Sequence, residues 1–366
     1  MTETTEPKFE EIEAIEDEVE LADYPLDSLL IRTESRTVFE IMRRIKGDAY
    51  ILDPDFQRDF VWDVVKQSRL IESALMRIPL PVFYLAERTD GKIVVVDGLQ
   101  RLTTFSRYLN NEFSLREINN KQLIGKDFND LAPKLKARLE DTLLTLYLID
   151  SEVPERARLD IFERVNSGVP LSRQQMRNSL YSGPATLWLK KQAKSKVFLE
   201  TTTSSLNSGT MRDRELINRF CSFYLFGYQA YGDDYKGDMD AFLAGTLKRM
   251  NDLPESELDS LGKKFETSMT NNQIVFERYA FRRHVNHEER RSVINAALFD
   301  IWSVTMTQYS EECVREHKQE FLTIFYALMT DEDFKDMISI ATNSVRKVRG
   351  RFELMESKFR HLETLC

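Results

Sequence analysis

The residues best suited to chemistry stand together in one short segment, IVVVDGLQR, which runs from Ile93 to Arg101. A run of β-branched residues ends at Asp97, Gly98 follows as a turn, and a helical pattern begins with Gln100 and Arg101. The N–H groups at the start of a helix attract phosphate, and an arginine in the first turn can share it. A carboxylate such as Asp97 can hold Mg²⁺ or orient a water molecule. The pattern suits a polyphosphate site, and a plain strand-to-helix corner with a salt bridge from Arg101 fits it equally well.

Two further segments place polar residues beside aromatic or turn-forming ones. LDPDFQRDFVWD sets Gln57 and Arg58 between a phenylalanine and a tryptophan, where a packed arginine with an exposed head is the simpler interpretation. IFERVNSGVPLSRQQMRNSLY carries Arg164 and Asn166 at the predicted end of a helix, where a glycine cap alone would explain the backbone. Each segment alone is thus compatible with a purely structural role. The occurrence of all three segments in one chain is a more specific signal of function.

These three segments, in this order, resemble the N-terminal domain family of GmrSD-type, modification-dependent restriction proteins. That family carries the motifs PxFQRxxVW, DGQQRLTT and FxRxNxGxPLxxQExRN, and the match here extends from Tyr24 to Tyr181. Leu99 replaces the first glutamine of the second motif, and Gln175-Met176 stands where Glu-Leu is common. The resemblance implies an α+β fold, with a ParB/sulfiredoxin-like small-sheet domain followed by an α-helical lobe.

The resemblance also implies a nucleoside triphosphate and Mg²⁺ as the bound groups. In the implied site Arg58 meets phosphate and Gln57 positions a water molecule or a phosphate oxygen. The predicted catalytic residues are Gln57, Asp97, Gln100 and Arg101, with Asp97 also the predicted metal ligand. The predicted nucleotide-binding residues are Arg58, Gly98, Arg101, Thr103, Thr104, Arg164 and Asn166, with Gln174 and Arg177 as secondary candidates.

Three functions are compatible with this site. The first is an NTP-binding, NTP-hydrolysing subunit of a bacterial anti-phage defence or restriction system, which would act by electrostatic stabilisation. The second is a non-catalytic, ParB-like module that binds DNA or a separately encoded nuclease and uses nucleotide as a switch. The third is a metal-dependent DNA nuclease acting from the Asp97 pocket. Nucleotide turnover separates the first two, and nicking that disappears on Asp97→Ala would support the third.

Larger members of the family append an HNH nuclease domain, which needs a histidine-rich metal site. The chain has four histidines, and His284 and His287 alone have helical ligand spacing without a third ligand nearby. It also has no GxxxxGK[ST] phosphate loop and three widely spaced cysteines without metal-ligand spacing. We therefore expect a cytoplasmic protein that lacks the HNH domain, since the N-terminus also has no apolar signal segment.

The charge of the chain is concentrated at its N-terminus. Residues 1–24 contain ten of the 60 acidic residues and one of the 51 basic ones, so they account for the whole net charge of −9. A solvated, disordered tail is the simpler interpretation. The alternative is a tail that competes with nucleic acid for basic groups, of which two are visible, around Arg282 and around Arg346. A solvated helix face also explains those basic groups.

Hydrophobic periodicity predicts the elements that position the site. Apolar residues recur at helical spacing in 37–46, 63–77, 131–140 and 154–165, and strand patterns cover 83–86, 93–97 and 143–149. From about residue 182 the pattern is helical almost throughout, with helices predicted at 213–226, 238–250, 256–281, 288–309, 312–329 and 331–359. These patterns predict a tail at 1–24, a nucleotide-binding domain at 25–181 and a helical domain at 182–366.

Overall fold

The computed structural model describes residues 12–13, 31–52, 62–88, 90–165, 171–285 and 291–360. The chain divides into two compact units. The first, residues 23–180, holds the strands and is called the sheet unit; the second, the helical unit, comprises residues 181–366 together with the N-terminal segment that contains Glu13. A small sheet followed by many helices confirms the predicted α+β class.

The sheet unit is organised around one mixed sheet of five strands. The strands are β1 (Ile31–Thr37), β2 (Tyr50–Ile51), β3 (Phe83–Glu87), β4 (Ile93–Asp97) and β5 (Leu143–Ile149). Their order across the sheet is β1-β5-β3-β4-β2. β3 pairs antiparallel with β4, whereas the β3–β5 and β2–β4 pairs are parallel. The hairpin β3–β4 thus lies within the sheet, as its uninterrupted apolar sequence predicts.

Six helices cover the sheet. They are α1 (Val38–Lys46), α2 (Val64–Leu75), α3 (Leu99–Leu109), α4 (Pro133–Glu140), α5 (Glu155–Val165) and α6 (Arg173–Leu180). One face of the sheet shares a continuous apolar core with α1 to α4, in which Leu85, Val95 and Leu146 alternate with outward-facing neighbours. On the other face α5 and α6 contact β4. Because helices cover both faces, the valines of β4 are all buried.

The sequence pattern missed the strands β1 and β2. β1 pairs with β5 over seven residues, from Ile31 opposite Ile149 to Thr37 opposite Leu143. Its sequence, IRTESRT, is polar because the strand lies at the edge of the sheet and most of its side chains are exposed or half-buried. Charged side chains on an edge strand also oppose pairing with other chains. β2 has only two residues and is too short to show a period.

The helical unit contains ten helices in the described part of the chain. They are α7 (Pro184–Ala193), α8 (Lys196–Thr201), α9 (Arg212–Asp233), α10 (Met239–Asn251), α11 (Glu255–Phe276), α12 (Ala296–Thr305), α13 (Glu311–Glu316), α14 (Lys318–Thr330), α15 (Glu332–Met337) and α16 (Val345–Phe359). None of the helices in the described ranges is both long and apolar enough to cross a membrane.

Three of the predicted long helices were wrong in their extent. The helix predicted from residue 288 begins only at Ala296, because Asn295 caps α12 through a 3.0 Å hydrogen bond from the Leu298 N–H. The two helices predicted at 312–329 and 331–359 are each divided, the first at His317 and the second between α15 and α16. Helical periodicity persists through these breaks, so the pattern alone could not locate them.

The N-terminal segment pairs with the helical unit through Glu13. The Glu13 N–H donates to the Ile294 carbonyl at 2.8 Å, and the Ala296 N–H donates to the Glu13 carbonyl at 3.1 Å. The Glu13 carboxylate lies 3.3 Å from Nε of Arg283 and accepts from the Asn295 side chain at 3.2 Å. At this position the acidic segment is in contact with one of the basic groups that the sequence singled out.

Candidate functional site

The candidate site lies at the corner where β4 ends and α3 begins. Gly98, the N-cap of α3, has φ of +104°, in the left-handed region. A β-carbon built on Gly98 would lie 2.3 Å from Cδ1 of Phe83, so a larger residue has no room here. Gly98 has no side chain that could cap α3, and no side-chain capping hydrogen bond occurs at this turn among the described residues. The corner therefore requires glycine, and the N–H groups of that turn donate to no capping side chain of the described residues.

Arg101 connects the start of the β3–β4 hairpin to its end at this corner through its guanidinium group. Its Nη2 donates to Oδ2 of Asp97 at 2.8 Å and to the Val82 carbonyl at 3.0 Å, and its Nη1 donates to the Pro81 carbonyl. The guanidinium carbon also lies 4.2 Å from the centre of the Phe83 ring. Burial lowers the pKa of Arg101, while the Asp97 carboxylate opposes that shift. These contacts give Arg101 a positioning role, and a phosphate contact by this residue stays a prediction.

Asp97 is held by Arg101 but still faces solvent, with 37% of its side chain exposed. The pairing of β3 and β4 shifts by one residue at this point, from Leu85 opposite Val95 to Tyr84 opposite Asp97. Strict alternation would have placed Asp97 on the face of Val95, in the core. The shift places it opposite Tyr84 instead, as β-bulges at functional corners often do. One oriented, accessible carboxylate suits Mg²⁺, which usually takes one or two carboxylates and leaves other positions to water and phosphate.

Gln100 joins the first and second sequence segments. Its Oε1 accepts a hydrogen bond from the Trp62 N–H at 3.4 Å. The Trp62 carbonyl in turn accepts from Nε2 of Gln67, and Asp63 caps α2 through the Lys66 N–H at 2.7 Å. The described end of the first segment is thus in contact with the corner. The predicted residues Gln57 and Arg58 lie outside the described residues.

Thr103 and Thr104 occupy the second half of the motif. Thr104 is buried, and its hydroxyl donates to the Gln100 carbonyl at 2.7 Å, so it stabilises α3 from within. Thr103 is half-buried. Because both residues follow the first helical turn, the N–H groups nearest the corner belong to Leu99, Gln100 and Arg101.

The third segment contributes the end of α5 and the whole of α6. Arg164 is exposed in the last turn of α5, and Asn166 lies outside the described residues. The secondary candidates Gln174 and Arg177 are buried in α6, where Nη1 of Arg177 donates to Oε1 of Gln174 at 2.8 Å. Gln174 donates onward to Asn178 at 2.9 Å. Since α6 contacts β4, this polar cluster supports the strand that carries Asp97.

Sequence reasoning missed the contacts that fix the corner. The carbonyls of Pro81 and Val82, which Arg101 binds, belong to residues without functional side chains. Arg158 of α5 was not among the predicted site residues, yet it is 3% exposed and donates to the Glu87 carbonyl at 2.8 Å. The one available signal was the pair of prolines before Phe83, which ends the preceding helical pattern and keeps this short segment out of regular structure.

Most members of the basic groups that the sequence singled out have structural partners. Arg282 is fully buried and donates to Ser205 at 2.9 Å, and Arg351 is fully buried beside Asp300. His284 is also buried, and its Nδ1 lies 2.9 Å from the Arg282 carbonyl. Among the described residues no group of three or more potential metal ligands occurs. His287 and Arg290 lie outside that range.

The sheet unit is therefore an α+β domain whose accessible aspartate is fixed by an arginine at an uncapped strand–glycine–helix corner. Residues 38–182 match the family model of the GmrSD restriction endonuclease N-terminal domain. The match covers the strands β2 to β5 and all six helices α1 to α6, and it includes all three sequence segments completely. This part of the chain is a GmrSD-type N-terminal domain. Neither the curated proteins nor the solved structures gave a significant match.

Proposed function

We propose that the sheet unit binds and hydrolyses a nucleoside triphosphate as part of a restriction or anti-phage defence system. The domain family is named after a restriction endonuclease, which supports the system. The observation that carries the nucleotide is the corner itself. There an oriented, 37% exposed carboxylate lies beside the first turn of a helix whose N-cap is glycine and which no side chain of the described residues caps.

In this proposal the N–H groups of Leu99, Gln100 and Arg101 cradle a phosphate, and Arg58 and Arg164 add positive charge. Mg²⁺, when bound by Asp97 and the phosphates, would neutralise negative charge on the transferred group. Arg101 orients the Asp97 carboxylate through the 2.8 Å contact and does not need to leave it. Gln57 and Gln100 position the attacking water.

The experiment compares the full chain with Asp97→Asn in nucleotide binding and phosphate release. Asparagine preserves the shape of the side chain and removes the charge that Mg²⁺ requires. We expect Mg²⁺-dependent phosphate release to fall on the order of 100-fold. The matched control is Asp90→Asn, since Asp90 is an exposed aspartate in the same β3–β4 hairpin.

The outcomes separate the candidate functions. Binding without turnover in the wild type would favour a nucleotide-switched module that recruits DNA or a separately encoded nuclease. If no nucleotide binds, or if Asp97→Asn retains the wild-type rate, the proposal is wrong. Plasmid nicking that depends on a metal and on Asp97 would instead favour a nuclease.

A further inference from the structure

The helical unit contains a cavity of about 250 Å³ that the corner of the sheet unit does not explain. Its walls come from α7, α8, the loop after α8 and the first turn of α9. All of these elements belong to the helical unit, so the cavity lies within a single compact unit. The side chains that line the cavity differ from those of the corner in the sheet unit, and they determine which ligands the cavity can bind.

Three cationic side chains line the cavity. Lys190 lies on α7, and Lys194, four residues further on, is the C-cap residue of that helix and lies on the same face. Arg214 comes from the first turn of α9. Lys194 forms no salt bridge in the described part of the chain. The Nε–H of Arg214 is buried and has no acceptor, and its Nη1 reaches only the sulfur of Met211, at 3.5 Å. Lys194 and Arg214 thus bring strong donors to the cavity for which the described residues supply no carboxylate partner.

A single carboxyl group faces these cations. Asp213 lines the cavity, is 7% exposed and accepts a hydrogen bond from the Arg214 N–H at 2.8 Å. No salt bridge to Asp213 occurs among the described residues, and burial raises its pKa. The lining therefore carries an excess of positive charge, together with one buried group that can accept or share a proton.

The rest of the lining is apolar or hydroxylated. Phe198, Leu199 and Leu206 form apolar wall, and the hydroxyls of Ser204 and Ser208 lie among the polar lining residues. Ser204 has a φ of +51°, a conformation that non-glycine residues adopt rarely and mostly where the surrounding structure enforces it. An apolar cavity with a few convergent cations is typical of sites for small organic anions.

We propose that this cavity binds a phosphate monoester with an apolar or aromatic body, of which a nucleoside monophosphate is the simplest example. Lys194 and Arg214 would hold the phosphate, because Arg214 lacks an acceptor and an ammonium and a guanidinium together match a dianion. The body would lie against Phe198 and Leu206, and Asp213 would accept an N–H or O–H of the ligand. Such a monoester exists free and also at the 5′-phosphorylated end of a nucleic acid strand.

The test is calorimetric titration of the full chain with the common nucleoside monophosphates and with inorganic phosphate. We expect a monophosphate to bind more tightly than inorganic phosphate, because the apolar wall contributes only to the former. Lys194→Gln and Arg214→Gln should each weaken binding about ten-fold or more, the scale of one charge-assisted contact. The matched control is Lys191→Gln, which removes an exposed lysine of the same helix outside the cavity lining.

Several results would overturn the proposal. These are the absence of binding by any monophosphate, wild-type affinity in both cavity variants, or equal affinity for inorganic phosphate. Loss of binding in Asp97→Asn with retention in Lys194→Gln would place the ligand at the corner of the sheet unit instead. A 5′-phosphorylated oligonucleotide that binds more tightly than the free monophosphate, and than its unphosphorylated form, would identify a strand end as the source.

Discussion

At the scale of single residues, Arg101 shows how one side chain can define a site without standing open to solvent. Its guanidinium binds two carbonyls just before β3 and the carboxylate of the last residue of β4, so it joins the start of the hairpin to its end. A lysine has the same charge but cannot reach three acceptors in a plane. The geometry of Asp97 therefore depends on the shape of the residue at position 101 as well as on its charge.

We predict that Arg101→Lys lowers the stability of the sheet unit by about 2–4 kcal/mol, the cost of taking a charged, forked donor away from two backbone carbonyls and the Asp97 carboxylate. Hydrogen exchange of the β4 amides would report this change within the unit. Arg107→Lys on the same helix is the control, because Arg107 is a third exposed and its ion pair with Glu112 is superficial. Similar protection in both variants would contradict the positioning role of Arg101.

Gly98 permits a second prediction at this scale. Gly98→Ala should destabilise the sheet unit by about 2–5 kcal/mol, from the left-handed backbone and from overlap with the Phe83 ring. Gly91 in the hairpin turn also has a positive φ, of +76°, but has nothing within 4 Å of an added β-carbon. Gly91→Ala should therefore cost only the backbone term, about 1–2 kcal/mol. If thermal unfolding shows the same loss of stability in both variants, the Phe83 ring moves aside without cost and the predicted overlap is wrong.

The buried carboxyl group of Asp213 should make the stability of the helical unit depend on pH. Because burial raises its pKa in the folded state, this carboxyl contributes stability below its unfolded pKa, and that stability is lost as pH rises through the folded pKa. Asp213→Asn resembles the protonated form, so it should raise the melting temperature near pH 7, and the gain should vanish towards about pH 4. The exposed Asp234 at the other end of α9 provides the control variant, Asp234→Asn. A gain that does not depend on pH would contradict this account.

At the scale of secondary-structure elements, three helices of the helical unit meet at one buried carboxylate. Asp300 of α12 accepts from Arg219 of α9 at 2.8 and 2.6 Å and from Arg351 of α16 at 2.8 Å. All three side chains are at most 1% exposed. Burial lowers the pKa of Arg351, whereas the Asp300 carboxylate outweighs burial and raises the pKa of Arg219.

We predict that Asp300→Asn destabilises the helical unit by about 3–5 kcal/mol, because two guanidinium groups would then be buried without a counter-charge. The control is Arg346→Gln on α16, whose side chain is 81% exposed and lies 3.6 Å from Asp336. An exposed pair of this kind contributes roughly 0–1 kcal/mol. If urea unfolding gives similar midpoints for both variants, the triad does not hold the three helices together.

The elements around the corner could be predicted from the sequence, because each has a strong local signal. β4 and β5 occupy the predicted residues, and α1 begins after Thr37, which caps it with Glu40 in a capping box. Prediction failed where a partner distant in sequence decides the structure. The start of α12 depends on residues near Arg282 and Glu13, and edge strand β1 depends on β5.

The candidate site divides in the same way. Asp97 and Arg101 form a local ion pair, since they are only four residues apart at a corner that the sequence predicts. Both the phosphate-site interpretation and the plain-corner interpretation of this segment used these two residues. The shift in strand register that turns Asp97 out of the core cannot be read from a run of valines, since any register buries them. Arg282 and Arg351 looked like surface charges, and only the packing around them shows that both are fully buried.

At the scale of the whole molecule, charge is distributed very unevenly, with residues 1–24 carrying the full net charge of −9. If the basic groups bind DNA, deletion of residues 1–24 should strengthen that binding, because Arg283 would lose its contact with Glu13. The gain should be largest at low salt, since the competition is electrostatic. Equal DNA affinity of the two chains across a salt series would show that the acidic segment does not compete.

Glu13 also bears on the order in which the molecule is built. It is separated from Asn295 by 282 residues, and the whole sheet unit is encoded between them. A chain emerging from the ribosome completes residues 23–180 long before it reaches position 295 of 366. The segment around Glu13 is therefore synthesised before the sheet unit but can be placed only after it. The helical unit can bind this segment only in a chain that has been translated past Asn295.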